Sequence, residues 1–359
     1  MRALQLYAGP RALAHIARAG LSPEDVHTIA AAAGGPKGLL LGRLDQFLFG
    51  EWLAQSQHPI DLLGASIGAW RMATACMQAP VPALQRLEHD YIHQHYAPPP
   101  GHKRPSAAQV SETFGRTIAN FFHDKAGEVL GNKRYHLHIV ASRGRHLLRT
   151  EHSLRTPLGY LGAYVSNALH RKALGAWLER VVFSSDVASP LPFDSRDFRT
   201  RHLALTADNF QPALQASCSI PFVLRAVRHI PGAQPGAYWD GGITDYHLHL
   251  NYAAARPQGV VLYPHFQQQV VPGWLDKSLK WRHGSSAFLD NVLLLAPRPE
   301  WIQTLPNGKL PDRTDFTHYG TDLAGRVKAW SAATAASAQL VDEFAQWLRQ
   351  PDVSQVLPL

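Results

Sequence analysis

The segment Gly64-Ala65-Ser66-Ile67-Gly68 lies between an apolar run, Ile60-Asp61-Leu62-Leu63, and a helix-forming run over residues 67–77. The first run reads as a short buried strand and the second as a helix. A Gly-x-Ser-x-Gly at a strand-to-helix junction is a nucleophile elbow, a turn so tight that the serine hydroxyl stands clear of the backbone above the sheet. The helix that follows aims unpaired N–H groups and its positive dipole end at the same point. Upstream, residues 26–32 read as another buried strand, entering Ala33-Gly34-Gly35-Pro36-Lys37-Gly38. Leu40, Leu44, Phe47, Leu48 and Trp52 then follow at helical spacing. Strand, glycine-rich turn, helix, strand, nucleophile turn and helix call for an α/β fold, three layers α/β/α around a mainly parallel central sheet.

The glycine-rich turn does not suit a nucleotide. A P-loop ends in Gly-Lys-Ser/Thr, whereas Lys37 is followed by Gly38-Leu39. The adjacent Gly34-Gly35 does not supply G-x-G-x-x-G, and Pro36 removes an N–H from any phosphate cradle. Backbone donors for a developing oxyanion are the alternative, since such donors need a backbone that approaches substrate with no Cβ in the way.

Residues 97–134 open with Pro98-Pro99-Pro100-Gly101 and continue with polar and basic residues around Phe114, Ile118, Phe121 and Phe122. This reads as a proline-marked connection into a helical insertion, a lid or cap. Residues 135–142 and 180–184 read as strands, with His136 and His138 on one half-exposed face and no third ligand for a metal. Residues 211–219 read as a helix, and strands follow at 259–263 and 292–295. Residues 321–349 form an amphipathic helix, or two, a C-terminal extension burying Leu323, Val327, Trp330, Leu340, Phe344, Trp347 and Leu348. No repeat or low-complexity linker divides the chain, so residues 1–359 are expected as one domain.

A chain that is 45% hydrophobic and 17% charged builds a sizeable core and is not disordered. Two cysteines, Cys76 and Cys218, make no disulfide framework and suit a reducing compartment. Arg11, His15 and Arg18 interrupt the first twenty residues, so no secretory signal is read there, and no run of apolar residues is long enough to span a membrane. A cytoplasmic location is the expectation. The net charge of +8 matches the excess of residues 99–172, which hold 12 Lys and Arg against 4 Asp and Glu. A basic surface of this kind favours anionic partners, although a solvated face with no partner has the same composition.

Further along, Ala216-Ser217-Cys218-Ser219-Ile220-Pro221-Phe222 precedes Asp240-Gly241-Gly242. With the glycine-rich loop and the serine elbow, these four ordered segments resemble the patatin-like phospholipase family, over roughly residues 26–262. The resemblance implies a Ser66-Asp240 dyad, an oxyanion hole from the N–H groups of Ala33, Gly34 and Gly35, and motif glycines Gly38, Gly64, Gly68, Gly241 and Gly242, with Ile67 opening the helix. It implies no metal and no cofactor, and a lipid acyl ester as substrate: phospholipid, lysophospholipid or glyceride. Two departures stand out: Ala33 replaces the family's first loop glycine, and Ile243-Thr244-Asp245-Tyr246-His247 replaces the usual continuation towards Asn-Pro.

Two other readings remain. One is an α/β-hydrolase esterase with a Ser, Asp or Glu, His triad, for which His247 and His249 are candidates. The other is a non-catalytic lipid-binding protein on the same fold. Residues 272–283, with Trp274, Leu275, Leu279 and Trp281 among Lys277, Lys280 and Arg282, carry the ingredients of an interfacial segment. Peripheral contact with an anionic membrane surface is expected there, and nucleic acid is not expected as a partner.

Overall fold

The computed structural model describes residues 1–97, 99–102 and 104–359; Pro98 and Lys103, part of the proline-marked connection and its basic tract, lie outside the described residues. Ten strands build one sheet. They are β1 (Leu4–Ala8), β2 (Val26–Ala31), β3 (Ile60–Ala65), β4 (Tyr135–Gly144) and β5 (Leu178–Ser184) in the first half. The second half adds β6 (Thr200–Ala204), β7 (Tyr238–Asp240), β8 (Val260–Pro264), β9 (Val292–Pro297) and β10 (Val356–Pro358). Their order is β10-β1-β9-β8-β2-β3-β4-β5-β6, with β7 paired to β4. Six of the nine pairings are parallel and three antiparallel, so the fold is α/β with a mixed, mostly parallel sheet and helices. β3, β8 and β9 are buried at every position, as strands covered on both faces must be.

The central strands carry the two turns. β2 and β3 run parallel with Ala31 opposite Gly64, so both release their loops at the same edge of the sheet. The helix after the elbow, Ile67–Ala75, is buried at all nine positions and packs tightly on the sheet end. A Cβ on Gly68 would lie 1.9 Å from the Ala31 carbonyl oxygen, and one on Gly64 would lie 2.5 Å from the Ala69 backbone. Only glycine permits this approach. Arg71 on that helix forms a two-pronged ion pair with Asp45, at 2.6 and 2.7 Å, with both side chains buried.

Several expectations change. The single helix read over residues 39–52 is broken into a 3₁₀ segment (Gly35–Leu41), an α-helix (Gly42–Phe47) and a π turn (Leu48–Trp52). The insertion is helical, in Ala107–Phe121 and Ala126–Leu130, but it is no lid. Its aromatics are core: Phe114 and Phe121 meet Trp70 edge-on at 5.5 and 5.7 Å, and Phe122 meets Phe210 at 5.0 Å. His138 is fully buried between Ser184 and Asp61 rather than half-exposed. The C-terminal extension is two helices, Leu323–Ala336 and Ala338–Arg349. It is tied to β1 through the Glu343 carboxylate, which accepts from the N–H groups of Ala3 and Leu4 at 2.8 Å. Among the described residues no helix is long and apolar enough to cross a membrane.

Candidate active site

One edge of β4 holds two strands end to end. β3 runs parallel along it, and its last residue, Ala65, pairs with Val140. β7 runs antiparallel along the same edge from the other direction, and its last residue, Asp240, pairs with Ala141. The residue after β3 therefore meets the residue that ends β7. Ser66 Oγ donates a 2.7 Å hydrogen bond to Asp240 Oδ2, across 174 residues of sequence.

Ser66 takes φ 56° and ψ −127°, a conformation that costs a non-glycine residue about 1–3 kcal/mol. Ser217 holds it there, and Ser142 and Ser219 hold the backbone of its partner Asp240. The Ser66 N–H donates to Ser217 Oγ at 2.9 Å, and Ser217 Oγ donates to the Val140 carbonyl at 2.6 Å. Ser142 Oγ donates to the Asp240 carbonyl at 2.9 Å, and the Asp240 N–H donates to the Ser219 carbonyl at 2.8 Å. These positioning roles of Ser142, Ser217 and Ser219 were missed in the sequence. The small-residue run before Pro221 was the only signal for two of them.

Asp240 is buried, and its second oxygen, Oδ1, accepts from the Gly242 N–H at 2.7 Å. Burial raises its carboxyl above the ordinary value of 3.8, against the Ser66 hydrogen bond, the charge of Arg313, the Gly242 N–H and the charge of Lys277. The shift makes it a stronger base than a solvated carboxylate. Burial also keeps the neighbouring Cys218 thiol well above its usual range, so it stays protonated.

The glycine loop corrects one expectation. The Ala33 N–H is spent on the Tyr246 carbonyl, at 3.0 Å, and is no oxyanion donor. The N–H groups of Gly34 and Gly35 have no acceptor among the described residues. Gly35 sits at φ 58°, and a Cβ on Gly34 would come within 2.6 Å of the Phe266 ring. Gly38 packs on Ile67, and Gly242 on the Ala33 methyl, so the loop lies against the elbow and the Asp-Gly-Gly turn together. Gly241 passes as close to the Val140 carbonyl as Gly68 does to Ala31.

Above Asp240 is a narrow cleft of about 20 Å³, walled by Ile220, Pro221, Ile243, Tyr246 and Trp274, with Lys277 and Arg313 at its side. That space fits about one water molecule. Lys277 Nζ lies 4.1 Å over the Tyr246 ring, and partial burial beside Arg313 and Lys37 brings its pKa down to about 8. Burial also lowers Lys37, whose Nζ lies 5.1 Å over Phe266. Among the described residues none of these three cations forms an ion pair.

The chain matches no protein-family model and no curated protein sequence.

The histidines stand apart from the serine. His247 is buried against the backbone of Gln269 and Val271, and burial holds it well below its usual pKa. His249 bonds to Val270 and Ser286, with a pKa lowered by burial to about 4. Among the described residues no histidine hydrogen-bonds to Ser66 or Asp240. Nor does any group of three His, Cys, Asp or Glu side chains there make a metal site.

Residues 272–283, expected as an interfacial segment, form two 3₁₀ turns, Trp274–Asp276 and Lys280–Arg282, with Leu275 and Leu279 buried. Asp276 is their buried anchor, held by Arg171 at 2.9 Å, Arg282 at 3.0 Å and Asn167 at 2.8 Å. Only Trp281 of the expected apolar set is exposed.

Proposed function

We propose that the chain is a patatin-like serine acyl hydrolase that cleaves carboxylic esters of lipids through Ser66 and Asp240. The observation that carries this reading is the 2.7 Å hydrogen bond from the strained Ser66 hydroxyl to a buried, destabilised carboxylate, beside two unspent glycine N–H groups. As Ser66 Oγ attacks the ester carbonyl carbon, its proton passes to Asp240 Oδ2. The tetrahedral oxyanion is held by the Gly34 and Gly35 N–H groups and by the N-terminus of helix Ile67–Ala75. Collapse breaks the ester bond, and the leaving alcohol takes the proton back from Asp240. Water, deprotonated by Asp240, then attacks the acyl-Ser66 carbonyl; the bond from the acyl carbon to Ser66 Oγ breaks, Oγ takes the proton back from Asp240, and the carboxylic acid leaves.

A carboxylate is a weak base for a serine, so burial of Asp240 and preorganised donors must supply much of the rate. Each such donor contributes about 10²–10³. Lys277 and Arg313 beside the cleft favour an ester that bears a phosphate, phospholipid or lysophospholipid, over a neutral glyceride.

A fluorophosphonate probe followed by peptide mapping tests the reading. Covalent labelling is expected on Ser66, with Ser66→Ala folded, unlabelled and inactive on ester substrates. Labelling on another residue, or full esterase activity in Ser66→Ala, overturns it.

A further inference from the structure

The outer face of helix Arg155–Leu169 is apolar from end to end. Leu154 at its N-cap, Leu158, Leu161, Val165 and Leu169 recur at intervals of four, three, four and four residues and so share one side. Each is between 50% and 82% exposed. The opposite side, with Thr156, Gly159, Tyr160, Ala163 and Asn167, is the one that packs on the molecule. Single exposed leucines need no explanation, but an aliphatic stripe along about 22 Å of helix does.

The stripe is continued on both flanks. Trp281 is 72% exposed, and its segment is fastened to the helix by Arg282, which donates to the Ala168 carbonyl at 3.2 Å, and by the Tyr164–Ser278 hydroxyl pair at 3.0 Å. On the other flank Phe222 and Val223 are exposed, and the Phe222 ring lies 5.7 Å from that of Tyr160. They directly follow Ile220 and Pro221, which wall the cleft over Asp240. The apolar surface therefore runs to the mouth of that cleft.

Its charge has one sign. Residues 145–178 hold five Lys and Arg against Glu151 alone, and residues 274–283 hold three against Asp276 alone. Asp276 is buried among its cations, and Glu151 is half-buried, bonded to the Ala226 N–H. The charges of these two segments left exposed to solvent are Arg149, Arg155, Lys172, Lys277 and Lys280, all of them cations.

We infer that this face docks on an anionic phospholipid surface. The aliphatic stripe and Trp281 enter the boundary between headgroups and acyl chains, and the rim cations meet lipid phosphates. A second copy of the chain fits the face poorly, because a two-fold contact would set the same cations against each other. The inference goes beyond ester hydrolysis and does not depend on Ser66: docking is a property of the folded surface.

Co-sedimentation of the full chain with phosphatidylcholine vesicles, with and without phosphatidylglycerol, is the test. Binding is expected to the phosphatidylglycerol vesicles and to weaken as salt is raised. Leu158→Ser with Leu161→Ser should reduce that partition by at least ~10-fold with an unchanged thermal midpoint, and Trp281→Ala should reduce it several-fold. Ser66→Ala should bind as the parent does, so failure of the hydrolase reading leaves this result intact. No binding to the anionic vesicles at low salt, or undiminished binding by the double variant, overturns the inference. So does a lipid-free dimer that the double variant abolishes, which would give the face to a second copy.

Discussion

Burial of the Asp240 carboxyl disfavours its charged form, which costs the fold wherever that form is populated. That carboxyl sits above the ordinary value of 3.8, chiefly through burial, so the folded chain holds this proton more tightly than the unfolded chain does. Between the two values folding takes up a proton, and stability is lost as pH rises through the folded one. Asp240→Asn should therefore abolish ester hydrolysis about as fully as Ser66→Ala, yet melt at a higher temperature at neutral pH. Calorimetry of the two proteins checks this, and the gain should vanish in acid below the ordinary carboxylate range. The parent's hydrolytic rate should fall as pH drops through the raised value, read from a pH–rate profile on a soluble ester. Gly34→Ala should force the loop off Phe266 and lower the rate by about 10²–10³, the worth of a lost oxyanion donor. The pairing of Ser66 with Asp240 was an expectation of the resemblance, carried by short local motifs, and the structure brings the two side chains into contact. The fate of the Ala33 N–H was not legible in the sequence, because its acceptor on Tyr246 lies more than two hundred residues away. Ser142 was invisible for the same reason.

At the scale of elements, helix Ile67–Ala75 is held in register by the Arg71–Asp45 pair as well as by glycine contacts. Removing one partner of a buried pair strands a charge. Asp45→Ala should cost about 3–5 kcal/mol in denaturant unfolding, and Asp45→Leu with Arg71→Leu should recover much of that loss. Apolar runs identified the central strands β2, β3, β8 and β9, since strands covered on both faces are continuously hydrophobic. β1, β6, β7 and β10 escaped notice. β6 is only partly buried, and β10 is three residues long and exists through its pairing with β1. The insertion read as a lid failed on partners: periodicity marks an apolar face without saying what covers it. Helix Arg155–Leu169 is the converse, a clean apolar stripe turned to solvent.

Across the whole molecule, the strands next in sequence are often not next in the sheet, and β1 lies between β9 and β10. Stability should therefore be graded from the centre outward. Hydrogen exchange is expected to be slowest in β2 and β3, limited by global unfolding, and faster in the edge strands β6 and β10 by local opening. Exchange at one rate throughout would contradict that gradient. The end-to-end meeting of β3 and β7 along β4 has a consequence for the newborn chain. Each strand residue advances about 3.3 Å, so a slip of a single rung in either pairing draws the hydroxyl out of reach of the carboxylate. The serine is synthesised 174 residues before its base, and no local segment contains both. A half-made or misthreaded polypeptide thus carries the hydroxyl with nothing to deprotonate it. If the proposed hydrolysis is the chain's activity, it cannot begin until the last rung of β4 has been claimed, and turnover would certify that the long-range topology is complete.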